Sequence, residues 1–502
     1  MRNSIFFLLL FWLFAFMACR DDDEKNFNQS PDTFFSIEEI NLSGDDRLNS
    51  TVRLAWYGVD PDGYVKGFEL STDGQNWDWT QTQDSTFKFS ISAGSDTADI
   101  QLFVRSIDNE GLADLTPDEL IIPIRNTAPV ALFSEDLTIP DTSHLVVTTE
   151  WNATDIDGNS TITEVLLSIN GKDWYPLNRT KKIISIVPVD ATATDSIDAF
   201  IYYGTENNPQ SQLIKGLAMN DSNRLFIKAI DQAGSESRVD TSTSFFMKGK
   251  TSDFLVVGGV PAANNDYKDI LQNGISINYD FIDLALNNGI NQPKIWNITF
   301  KLQLRQFSKL FLYSDESLFD NSYTNKKSFI LEFAAASLLE FANQGGKYFI
   351  STSFNHNTNI DAFTGVLPIS SVSTKNYGSA RLWGSARGDS ALVTSVIEDK
   401  SLPDSLWVRD TTNFPDLTTQ FFALSGVGAF NIDSTDTEVL YSGQLSDGSN
   451  LIEWPDTKTV ASGRRVNGKL NQVFFNVQLF ELNGNPSKLN ALFNHILNVE
   501  FN

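Results

Sequence analysis

The chain has 502 residues, a formal charge of −26 and a pI of 4.4, with 41% hydrophobic and 20% charged residues. That length exceeds a single core and predicts about three domains. The acidity excludes nucleic-acid binding, which needs a basic face, and excludes electrostatic docking on an anionic membrane. One cysteine (Cys19) excludes a disulfide, and three scattered histidines (His144, His356, His495) suggest no zinc site.

Arg2 precedes an apolar run from Ile5 to Ala18, followed by Cys19 and then Asp21, Asp22, Asp23 and Glu24. A short apolar core ending on a small residue marks a secretory signal. Its 14 residues span roughly 21 Å, short of the ~30 Å hydrocarbon core. The Phe16-Met17-Ala18-Cys19 ending resembles a bacterial lipobox, and the acidic run resembles the surface-export signal of Bacteroidetes lipoproteins. The resemblance implies a signal peptide over 1–18, lipidation of Cys19 (palmitate among the acyl groups), and anchorage on the outside of the outer membrane. Residues 19–33 are acidic and polar and predict a tether.

From residue 34 to about 250, short alternating runs are separated by turn signals, the pattern of β-sandwiches. The clearest predicted strands are 51–58, 65–72, 86–92 and 100–108. The region is an internal repeat. WYGVDPDG (56–63) recurs as WNATDIDG (151–158), STDGQNW (71–77) as SINGKDW (168–174), and LFVRSIDNEG (102–111) as LFIKAIDQAG (225–234). Trp77 to Asp108 is 31 residues, whereas Trp174 to Asp231 is 57, so the second copy carries about 26 extra residues, expected within 183–222. An early buried Trp, the D-x-D-G turn and the late VRSID strand resemble fibronectin type III or Ig-like modules of bacterial surface proteins. That resemblance implies modules over 34–125 and 127–250.

The Asp-rich turns leave two readings open. Asp-Pro-Asp-Gly is a good turn, since Pro presets φ and Gly accepts φ > 0. In an Ig-like topology, however, Asp60, Asp62, Asp108 and Glu110 would converge at one end, as would Asp155, Asp157 and Asp231. Clustered carboxylates suit calcium, the one cofactor suggested here, in a structural role.

After Lys250 the period changes. FLVVGGV (254–260) predicts a buried strand, 265–274 a helix, and 276–284 and 307–315 further strands. Residues 326–346 predict a strong helix ended by Gly345-Gly346, and 347–354 the next strand. A polar excursion spans 360–436. Strands at 437–445, 458–465 and 471–479 follow, then an amphipathic helix at 487–501. Alternating strands and helices imply a parallel sheet with covered faces. Neither GYVKG nor VVGG has the spacing of a nucleotide loop.

This order resembles the flavodoxin-like domain of class I glutamine amidotransferases and their non-enzymatic relatives, over 252–502. In the active family a cysteine follows the GGK-type strand and a His-x-Glu pair follows a late strand. Here the elbow reads Ser351-Thr352-Ser353-Phe354-Asn355, and Phe480 stands where the histidine would be. A hydroxyl without an imidazole neighbour stays protonated and weakly nucleophilic. Ser353 with His356 is the surviving pair to name, as a degenerate serine hydrolase. The main expectation is a non-enzymatic surface lipoprotein in which sandwich spacers present an α/β binding or scaffold domain to a protein partner, as part of an outer-membrane assembly. The alternative is a glycan-binding protein of a polysaccharide-uptake system, using Trp77, Trp79, Trp174, Trp383 and Trp454 as stacking surfaces.

Overall fold

The computed structural model describes residues 27–36, 46–321, 323–354, 358–363, 365–373, 380–383, 392–396, 409–421, 423–425, 427–433, 436–447, 452–453 and 456–502. Cys19, the signal segment and most of the tether, along with His356 and Trp454, lie outside the described residues. By compactness the chain divides into two units. One holds 1–129 with 154–163 and 230–236; the other holds 130–153, 164–229 and 237–502.

In the first unit, Asp32–Phe35, Thr51–Val59 and Asp84–Lys88 form a three-stranded sheet, with Thr51–Val59 in the middle. A second sheet of five runs in the spatial order Leu48–Asn49, Asp118–Arg125, Thr97–Asp108, Val65–Ser71 and Asp78–Thr80. Strand alternation buries Val52, Leu54 and Trp56 from one sheet against Phe68, Leu102, Val104 and Ile122 from the other. Trp56 meets Phe68 edge-on at 6.4 Å. This is a β-sandwich, built as the alternating pattern required.

The second unit begins with another sandwich. Its five-stranded sheet runs Ile214–Ala218, Ser196–Tyr203, Ile183–Pro188, Val147–Thr154, Val130–Phe133. Its four-stranded sheet runs Tyr175–Pro176, Ile162–Ile169, Leu225–Asp231, Asp240–Thr241. Trp151 is buried on Val147–Thr154 as Trp56 is on Thr51–Val59. Both copies of the S-x-x-G turn need a left-handed glycine, Gly74 at φ +70° and Gly171 at φ +74°, each lying against a phenylalanine, Phe103 or Phe226. The extra residues of the second copy are the hairpin of Ser196–Tyr203 and Ile214–Ala218, which widens one sheet, and the short strand Asp221–Asn223.

The rest of the second unit is organised on a nine-stranded sheet. Asp280–Asp283, Phe254–Gly258, Lys309–Tyr313, Lys347–Ser351 and Lys469–Phe475 lie side by side and parallel. Numbered along the chain, these five parallel strands stand in the order 2-1-3-4-5. Thr459–Val466, Thr437–Gly443, Leu392–Ser395 and Leu417–Thr418 continue the sheet antiparallel. Both faces are covered. Leu255, Val257, Leu310, Leu312, Tyr348 and Ile350 pack under helices Trp296–Leu304 and Ile330–Asn343. Phe254, Val256, Phe311 and Phe349 pack under residues 264–274 and the closing helix Pro486–His495. Continuous apolar strands are therefore expected here, and the sequence supplies them.

Two expectations need correction, and one helix was not expected. The helix predicted over 326–346 begins only at Ile330, because Lys326–Phe329 pairs antiparallel with Leu318–Asn321. Its end is as predicted: Gly345 takes φ +88°, and Gly346 N–H donates to Phe341 O at 2.8 Å. Helix Trp296–Leu304 has no counterpart in the sequence reading, because it is buried on nearly every side and shows no polar stripe. The 360–436 excursion is not all irregular, since Leu392–Ser395 and Leu417–Thr418 complete the large sheet.

Candidate functional site

At the carboxyl ends of the parallel strands, the elbow is closed by packing and hydrogen bonds. Ser351 and Thr352 are fully buried. Phe480 N–H donates to the Tyr267 hydroxyl at 3.3 Å. That hydroxyl lies 3.2 Å from Ser351 Oγ, which accepts from Leu479 N–H and donates to Val477 O, both at 3.1 Å. Tyr267 is thus fixed, and the Phe480 ring sits edge-on to it at 6.0 Å. Asn476 locks the next turn, accepting from Phe354 N–H and donating to Gly428 O at 2.5 Å. Burial pushes the Tyr267 and Tyr313 phenols far above the ordinary tyrosine value, so both are neutral donors. Ser353 is half-buried beyond this network, and its predicted partner His356 lies outside the described residues.

The Asp-rich turns are held by amides and hydroxyls. Asp108 Oδ1 accepts from the N–H groups of Glu110, Gly111 and Leu112 at 2.6–2.8 Å, and its Oδ2 from Asn28 Nδ2 at 2.6 Å. Asp62 accepts from Gln29 N–H at 3.2 Å, and Asp60 from Asp62 N–H at 3.3 Å. Asp157 accepts from Ser50 Oγ and from Thr127 N–H at 2.7 Å. Asp231 accepts from Asn126 Nδ2 at 2.6 Å. Asp155 accepts from Asp157 N–H at 2.9 Å and Thr161 Oγ1 at 2.7 Å, and burial with the nearby Asp157 and Asp231 charges raises its pKa. The second set does gather, but among the described residues no group of three or more His, Cys, Asp or Glu side chains is arranged to hold a metal ion.

The tryptophans divide. Arg105 covers Trp77 with its guanidinium 4.0 Å from the ring centre, and Lys228 covers Trp174 at 5.1 Å. Trp79 remains 48% exposed beside Gly67. The side chain of Trp383, like the whole of Trp454, is outside the described residues.

A cavity of about 430 Å³ opens in the second unit between residues 264–272 and the edge strand Asp280–Asp283. That volume is within the range of small-molecule sites, roughly 300–1,000 Å³. Tyr267, Tyr279, Phe281 and Tyr313 form its walls, and Lys248, Lys268, Asn264, Asn265 and Gln272 supply polar groups. Gly258 makes room for two of the rings, since a Cβ there would meet Tyr313 Oη at 2.7 Å and Phe281 Cε2 at 3.0 Å. Tyr313 donates to Asn264 Oδ1 at 2.6 Å, and Asn264 Nδ2 donates to Asp283 Oδ2 at 2.8 Å. Asp280, the one lining carboxylate among the described residues, accepts from Thr251 N–H and Oγ1 and Ser252 N–H at 2.7–3.0 Å. No motif announced this cavity. Its aromatic residues come from a helix (Tyr267), two strands (Phe281 and Tyr313) and the loop before one of them (Tyr279), and the only local signal was helical spacing that places Asn265, Lys268 and Gln272 on one flank.

No protein-family model matches the chain, and no curated protein matches it. Among solved structures, a two-domain fibronectin type III segment of chicken tenascin covers 43% of this chain and 99% of its own, at 11% identity and a TM-score of 0.19. The fibronectin(III)-like modules of Clostridium thermocellum CbhA cover 43% and 94%, at 12% identity and a TM-score of 0.16. The Bacteroides ovatus protein SGBP-B of a mixed-linkage glucan utilization locus, solved with a heptasaccharide, covers 46% and 52%, at 9% identity and a TM-score of 0.13. Likeness at this level is of β-sandwich modules and carries no argument about function.

Proposed function

We propose that this chain is a lipid-anchored, non-catalytic surface protein in which two sandwich repeats carry an α/β binding or scaffold domain of flavodoxin-like type. The 2-1-3-4-5 order of the parallel strands supports the domain type. One observation carries the non-catalytic reading. Along the elbow that the amidotransferase resemblance would use, Ser351 and Thr352 are buried and bonded and Ser353 is half-buried, and at the position of the base Phe480 packs on Tyr267. A buried hydroxyl already donating to a carbonyl has neither an approach for substrate nor a base to activate it.

The proposal is tested in two parts. Metabolic labelling with a palmitate analogue labels the wild-type chain, and Cys19→Ser abolishes both the label and membrane fractionation. A fluorophosphonate probe leaves the purified chain unlabelled; stoichiometric labelling lost in Ser353→Ala would establish the hydrolase reading instead.

A second reading, glycan binding, is favoured by the aromatic-walled cavity rather than by the tryptophans. Rings that stack on a sugar's C–H face, beside amides and ammonium groups that bond its hydroxyls, are what carbohydrate recognition requires.

A further inference from the structure

We propose that the cavity beside residues 264–272 binds one six-membered sugar ring bearing a carboxylate, as at the acidic end of a glycan; this deepens the glycan reading above. The polar groups around the cavity are unequally spent. Asp280 is nearly fully buried and already accepts three hydrogen bonds from Thr251 and Ser252, so it offers a ligand little. Asn264 is committed to Tyr313 and Asp283. The two lining ammonium groups are placed differently. Lys248 Nζ gives one proton to Phe281 O at 3.4 Å, and Lys268 stands exposed on the helical flank. Neither belongs to an ion pair among the described residues.

In a protein of charge −26, two unpaired ammonium groups at one aromatic-walled opening are a local inversion of sign. A carboxylate is the group that completes them, with hydrogen bonds stronger than neutral ones. The rest of the ligand is set by the walls and rim. Tyr279 and Phe281 are half-buried and present ring surface at the sheet edge. A purely apolar ring would suit them but would leave the exposed Asn265 and Gln272 amides unused. A polyol ring satisfies both, its C–H face against the aromatics and its hydroxyls towards the amides and Lys268.

The full-length chain in neutral detergent micelles would be titrated calorimetrically at low salt with methyl β-glucuronide, methyl β-glucoside and cyclohexanecarboxylate. The glucuronide is expected to bind at least about tenfold more tightly than either of the others, and Lys268→Met to remove that advantage. Lys268 is exposed, so the variant keeps the fold, checked by an unchanged melting temperature. Equal binding of the glucoside overturns the acidic-ring proposal while leaving the glycan reading in place. Equal binding of cyclohexanecarboxylate, or binding of none of the three, overturns both. Glucuronide affinity undiminished in Lys268→Met overturns the assignment to this cavity.

Discussion

At the scale of single residues, one charge is both deeply placed and well paired. Glu500 is 7% exposed and accepts from Arg465 Nη1 at 3.0 and 3.1 Å, from Leu470 N–H at 2.8 Å, and meets His495 Nε2 at 3.3 Å. Burial alone would raise its pKa. The hydrogen bonds from His495 and Leu470 and the Arg465 charge outweigh that and hold it at about 2, against 4.5 in an unfolded chain. Because the folded value is the lower one, this stabilisation is complete above pH 4.5 and is lost as pH falls through about 2. Glu500→Gln is expected to destabilise by roughly 3 kcal/mol near neutrality. In urea melts, the gap between wild type and variant narrows as pH drops from 5 towards 2; a gap independent of pH would show that the charge is not the cause.

At the scale of elements, the inserted hairpin of the second repeat acts as a bracket on helix Trp296–Leu304, which packs on the nine-stranded sheet. The loop joining its strands meets the helix Trp296–Leu304 and the residue after it. Arg305 donates from Nη1 to Asn207 O at 3.1 Å and from Nη2 to Asn207 Oδ1 at 2.8 Å, and its Nε to Glu340 at 3.0 Å. Lys301 Nζ reaches Thr205 O at 3.2 Å, and Thr299 donates to Thr148 Oγ1 at 2.8 Å on the sandwich itself. Arg305→Ala breaks one connection to each side. The expected cost is about 1–3 kcal/mol, since Glu340 loses a charged partner. Hydrogen exchange would read it as faster exchange in both the 196–218 hairpin and helix Ile330–Asn343; change confined to the helix would deny the bracket. The length difference between the repeats was visible in sequence as 31 against 57 residues, but its use was not. The loop's partner lies about a hundred positions away, and no local pattern encodes such a meeting.

At the scale of the whole molecule, the division into two compact units predicts that unfolding is not two-state. Calorimetry of the full chain should show two endotherms, and Glu500→Gln should lower only the one belonging to the second unit. A single endotherm shifted as a whole would mean that the units unfold together.

Much of this architecture was legible because it depends on local periodicity. Alternation along Thr51–Val59 and Thr97–Asp108 showed half-buried strands, and the apolar runs at 254–258 and 347–351 showed strands buried on both faces. The absence of a thiol at 351–355 and of a histidine at position 480 was equally plain, because absence of a residue type needs no coordinates. Helix Trp296–Leu304 was missed because burial all round erases the polar stripe by which a helix is recognised. The cavity was missed for a different reason. Tyr267, Tyr279, Phe281 and Tyr313 look like ordinary core residues in sequence, and only packing left space between them.

Sequence alone was enough for the two sandwich repeats, for a parallel sheet with both faces covered, and for the expectations of export and anchorage at Cys19 and of no thiol at 351–355. Each follows from residue type or from a period of two or 3.6, which act within a few neighbours. Only the folded chain shows that the Asp-rich turns are tied by amides and hydroxyls, that the inserted hairpin brackets helix Trp296–Leu304, and that four aromatic side chains line a cavity with two ammonium groups in no ion pair among the described residues. Those outcomes depend on which groups distant in sequence are brought within reach and satisfy each other's hydrogen bonds, and that is settled only when the chain closes on itself.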